Sequence, residues 1–110
     1  MNNKRKGTAA EWEIVHLLEA RGLPAERNEQ GYLAGYRSGK GNPDVWTRLA
    51  GRDIHCEVKR RERLSIYKAY GQAAADAVNM TPVVLYRANC KPWLAIMSLE
   101  DLLTLTLDAG

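Results

Sequence analysis

Pro43-Asp44-Val45-Trp46-Thr47-Arg48-Leu49-Ala50-Gly51-Arg52-Asp53-Ile54-His55-Cys56-Glu57-Val58-Lys59 decides the fold. Two runs rich in β-branched and aromatic residues flank a turn expected at Ala50-Gly51-Arg52-Asp53, the pattern of a β-hairpin. Side chains on a strand alternate, so Ile54, Cys56 and Val58 share an apolar face. His55, Glu57 and Lys59 share the opposite, polar one. If the chain folds back on itself, Asp44 lies at the open end of the hairpin near Glu57 and Lys59. Two carboxylates held close repel each other unless a cation lies between them, and hard oxygen ligands suit Mg²⁺, with Mn²⁺ as a substitute. A divalent ion at Asp44 and Glu57 would activate water, and Lys59 would orient it or stabilise the phosphate transition state. Taken alone, Glu-x-Lys on a strand is more often a solvated ion pair; the Pro-Asp at a hairpin's distance sharpens it.

The N-terminal region adds a third acid. Thr8 followed by Glu11 has the form of a capping box, so a helix is expected to start there and run through Leu18. At ~100° per residue, Val15, Leu18 and Ile14 fall within roughly 60° of Glu11, which places that acid in the apolar stripe. Glu13 falls nearly opposite, where solvent is expected. Capping would explain Glu11 if it stood alone. With Asp44, Glu57 and Lys59 present, a carboxylate facing the sheet explains it better, either as a third metal ligand or as an orienter of water.

The remaining elements follow in order. A strand is expected near Ala25 to Arg27, and Ser65 can cap a helix from Ile66 to Val78. Pro82 to Arg87 and Trp93 to Met97 read as strands, and Ser98 with Asp101 caps a short final helix. In the second helix Lys68 and Gln72 are one turn apart and able to reach a phosphate or the water of the site. Periodicity therefore gives an α/β fold in one domain of 110 residues, with a basic tail over 1–6 and a flexible loop over 28–42. So small a chain buries a modest core, and a partner subunit is expected.

The formal net charge is +3. Its distribution says more than its size. Lys4-Arg5-Lys6, Arg37, Lys40, and Arg60-Arg61 with Arg63 flank the acids, a basic rim of the kind that neutralises a DNA backbone. Each cluster by itself would read as a solvated tail or loop. The 2 cysteines show no zinc-ligand or disulfide spacing, with Cys56 expected buried and Cys90 in a turn. The chain shows no signal peptide or long apolar run, so the expected location is the cytoplasm of a bacterial or phage-infected cell. His55 and His16 are both expected at the surface.

Gly7-x-x-x-Glu11, Gly22 to Arg27, Ser38-Gly39, Pro43-Asp44 and Glu57-Val58-Lys59 together resemble the PD-(D/E)xK nuclease superfamily. Within it the chain is similar to archaeal-type Holliday junction resolvases and small phage-encoded resolvase-like endonucleases. The resemblance covers roughly residues 6 to 98. It implies a restriction-endonuclease-like core, a central mixed sheet flanked by helices. It also implies a metal site at Glu11, Asp44, Glu57 and Lys59, functional roles for Arg27 and Ser38, and Gln72 beside the site. The expected activity is Mg²⁺-dependent cleavage of branched DNA, above all four-way junctions, by a homodimer. Two departures stand out. Trp12 replaces the arginine often found after the helix glutamate, and the stretch from Asn28 to Asn42 is longer than the usual connection. Alternatives with the same residues are a nicking, repair or restriction-type nuclease, or a non-catalytic DNA-binding module that keeps the fold.

Overall fold

The computed structural model describes residues 3–28 and 42–109, with side chains described for 7–28 and 42–107. Its elements are α1 (Asn3–Ala20), β1 (Ala25–Arg27), β2 (Val45–Leu49), β3 (Arg52–Arg60), α2 (Ile66–Asp76), β4 (Thr81–Arg87), β5 (Leu94–Ile96) and α3 (Leu99–Ala109). The strands form one sheet in chain order, with β3 and β4 parallel and every other pair antiparallel. A parallel neighbour cannot be reached by a tight turn, and α2 supplies the crossover between β3 and β4.

Helix α1 begins ahead of the expected point. Residues 3–6, read from the sequence as a tail, are helical backbone, and Thr8 lies inside the helix instead of capping it. Straight-chain Lys and Arg favour a helix, and this run holds no proline to stop it, so the signal at Thr8 was overridden. The other end is sharp. Gly22 sits at φ +81°, its N–H donates to the Glu19 carbonyl at 3.0 Å and that of Leu23 to Leu18 at 3.0 Å, the paired bonds of a Schellman stop.

The β2–β3 turn has two residues, Ala50 and Gly51, at φ 51° and 77°, and Leu49 pairs directly with Arg52. Both central residues at positive φ match the type I′ hairpin turn, whose twist follows that of the strands. The four-residue turn expected from the sequence is thus two residues shorter, because Arg52 and Asp53 extend β3. Strand β5 is shorter than expected and α2 stops at Asp76. Ser65 precedes α2 with extended backbone but makes no side-chain cap bond, whereas the Ser98 hydroxyl accepts from the Asp101 N–H at 3.0 Å as expected.

Alternation divides the sheet into two faces. On one, Val45, Ile54, Cys56 and Val83 pack with Ile14 and Val15 of α1, and Trp93, Met97 and Leu105 border them. On the other, Val84 packs with Ala69 and Ala73 of α2, whose small side chains let the helix lie close to the sheet. Buried Thr47 is satisfied through its hydroxyl, which donates to the Pro24 carbonyl at 2.7 Å. Glu13 is not simply solvated: it accepts from Arg87 at 2.6 Å and from the Trp93 indole, which ties α1 to the ends of β4 and β5. No helix among the described residues is long and apolar enough to cross a membrane.

Candidate active site

Asp44 immediately precedes β2 and is fixed from three directions. Its N–H donates to the Cys56 carbonyl at 3.0 Å, and its carbonyl accepts from Asn28 at 3.0 Å. Its Oδ2 accepts from the backbone N–H of Val58 at 2.9 Å. Pro43 in front of it is fully buried and restricts the local φ. The register Val45↔Cys56 and Trp46↔His55 places Asp44 across from Glu57, on the face that carries His55, Glu57 and Lys59.

Burial and the facing Glu57 carboxylate push the Asp44 carboxyl up to about 7. The Val58 N–H pulls the other way, Glu11 adds a smaller push upward, and Lys59 opposes it. Glu11 is raised above its ordinary value by burial, with Arg27 opposing and Glu57 adding to the rise. Glu11, Asp44, Glu57 and Lys59 therefore act on one another through space, although they come from α1, the entry to β2, and β3. Among the described residues, no three His, Cys, Asp or Glu side chains are grouped so as to enclose a metal ion.

Glu11 is committed to Arg27 on β1, whose Nε lies 3.0 Å from its Oε1. The Arg27 guanidinium also sits 5.4 Å from the Trp12 ring centre, and Trp12 stacks on His16 at 5.7 Å. Trp12 therefore takes up the arginine of the strand instead of supplying a cation of its own.

The sequence reading misplaced His55. Its side chain is 0% exposed, flanked in register by Trp46 and Pro82, and its Nε2 lies 3.0 Å from Glu57 Oε1. With Nε2–H donating to the carboxylate, Nδ1 is left buried without a partner among the described residues. Alternation placed His55 on the right face. What single-strand periodicity does not carry is that His55 lies between two further strands, beside Trp46 and Pro82, and is fully buried there.

Lys59 is half-buried and lines a cleft with Arg61, Leu64, Ser65, Lys68, Ala69 and Gln72. Gln72 is thus on the same side of the sheet as the acids. Arg61 is exposed, whereas Arg60 points to the other face, where its guanidinium donates to Asn89 Oδ1 at 2.9 Å and its Nε is buried without a partner among the described residues. Arg37, Ser38, Lys40 and the Lys6 side chain lie outside the described residues.

No protein-family model matches this chain, and no curated protein matches it. Among solved structures it is similar to the 1.6 Å structure of Hjc from Archaeoglobus fulgidus, a Holliday junction resolvase of an archaeal hyperthermophile. The TM-score is 0.61 at 22% identity, over 84% of this chain and 72% of that one. The expected architecture holds: a mixed five-stranded sheet with three helices, in the restriction-endonuclease-like α/β fold shared with that resolvase.

Proposed function

We propose that the protein is a metal-dependent, structure-specific DNA endonuclease of the PD-(D/E)xK superfamily that hydrolyses phosphodiesters in Holliday junctions or other branched DNA. The observation that carries this reading is the paired acids at the mouth of the hairpin. Asp44 is anchored through Oδ2 and Glu57 through Oε1, so each keeps a second oxygen with no hydrogen-bond partner among the described residues. The Glu57 carboxylate facing Asp44 helps to raise it, and a cation between two such acids relieves that repulsion. The likeness in fold to a named Holliday junction resolvase supports the substrate class.

Asp44 and Glu57 are the residues that would hold Mg²⁺ or Mn²⁺, hard oxygen donors with room left for water and phosphate. An ion held there would lower the pKa of water and offset charge on the phosphate. Lys59 donates to the attacking water or to the phosphate oxygens. Glu11, held by Arg27, orients water from the helix side of the site. His55 holds Glu57 in place from beneath. A homodimer with two such sites about a two-fold axis suits the symmetry of a four-way junction.

The test is a cleavage panel of synthetic four-way junctions, flaps and linear duplex with Mg²⁺. Preferential cutting of the junction is expected. Equal cutting of all three, or none, removes the resolvase assignment.

A further inference from the structure

Cations in the described part of the chain fall into two groups. Arg27 is paired with Glu11, Arg48 with Asp53 and Arg87 with Glu13. Arg61 and Lys68 form no ion pair among the described residues, and both open onto the cleft between the end of β3 and α2. That cleft holds about 180 Å³ and is lined by Lys59, Arg61 and Lys68, by the polar Ser65 and Gln72, and by no carboxylate. Its volume is below the ~300–1,000 Å³ of small-molecule sites and suits a compact anion. The Ser65 hydroxyl is not spent on capping α2, although that is the usual work of a serine at this position. The backbone beneath is firm: the Arg61 N–H donates to the Arg87 carbonyl at 3.2 Å, and Ala69 is buried against the sheet.

We propose that Arg61, Ser65 and Lys68 form a subsite for one DNA phosphodiester, next to the one that is cut. The site deepens the nuclease reading and rests on it for the word "next": Lys59 belongs to both the cleft and the acid cluster, so a phosphate held here sets the register of the strand against Asp44 and Glu57. Phosphate contacts of this kind position a strand without reading its sequence. Because two cations serve one phosphate, losing either removes most of the contact.

The experiment is fluorescence-anisotropy binding of a labelled four-way junction across a salt series, with EDTA to prevent cutting. The proteins are wild type, Arg61→Ala, Lys68→Ala, the double variant and Lys91→Ala as an exposed control. Arg61 and Lys68 are exposed, and a thermal melt of each variant checks that it folds. Each single variant is expected to bind about tenfold more weakly, with a log-affinity against log-salt slope shallower by about one. The double variant is expected to resemble the singles, and Lys91→Ala the wild type. Additive losses with a slope change of about two, or binding unchanged from wild type, overturn the shared subsite. A Mg²⁺ digestion of the same junction separates the two claims. Coupled binding losses in a protein that cuts no DNA leave the subsite standing and remove the nuclease, whereas cutting by wild type with unaltered binding by the variants does the reverse.

Discussion

His55 and Glu57, two residues apart on β3, are joined by a 3.0 Å contact between a fully buried imidazole and the carboxylate at the mouth of the hairpin. The histidine fixes which way that carboxylate faces. Outer partners of this kind typically govern metal affinity by 10–100-fold. His55→Leu is expected to weaken Mn²⁺ binding about tenfold in calorimetric titration, and His55→Gln, which keeps an amide donor, less. Equal affinities for the two variants and wild type would show that Glu57 is oriented by other means.

The raised Asp44 makes the metal-free fold sensitive to pH. A carboxyl at about 7 in the folded chain, against its ordinary 3.8, binds a proton more readily folded than unfolded. Its contribution is therefore most favourable below pH ~4 and is lost as pH rises through about 7, by a few kcal/mol at most. Urea denaturation in EDTA should show the wild type losing stability relative to Asp44→Asn between pH 4.5 and 8. Added Mn²⁺ should restore it. A difference that does not change with pH would mean that Asp44 titrates normally.

Removal of the chemistry should leave recognition intact. Asp44→Asn, Glu57→Gln and Lys59→Ala are each expected to slow junction cleavage by about a hundredfold or more, because each takes away a proposed metal ligand or proton donor. Binding in EDTA should remain close to wild type for the two acid variants. Single-turnover cleavage beside anisotropy measures both, and rapid cutting by either acid variant would place the reaction elsewhere.

Ala50 occupies the left-handed region at φ 51° in a turn that prefers asparagine followed by glycine. Ala50→Asn is expected to stabilise the fold by about 0.5–1 kcal/mol in chemical denaturation, with cleavage unaltered. Gly22→Ala, at φ +81° with open space around it, is expected to cost about 1 kcal/mol by strain alone.

The hairpin and the faces of β3 were legible because alternation is a local property, and Ile54 and Cys56 are buried where it put them. The strand Ala25–Arg27 and the Ser98 cap also followed from local signals. What escaped depends on neighbours distant in sequence. Glu13 looks solvated on a helical wheel, yet Arg87 and Trp93 reach it from 74 and 80 residues away. His55 looks half-exposed on one strand and is fully buried between its neighbours on two others. Arg60 and Arg61 look equivalent as a basic pair, but Arg60 ends β3 and is drawn to Asn89, whereas Arg61 lies just past the strand and opens onto the cleft beside α2.

The bond from the Val58 amide to Asp44 Oδ2 has a consequence for control. A carboxylate clasped by the peptide of the next strand cannot swing between an idle and a working rotamer without loosening the hairpin itself. On the proposed function, Asp44 would offer no latch for silencing the site, and timing would pass to what arrives from outside: the ion, and a strand bent sharply enough to reach it.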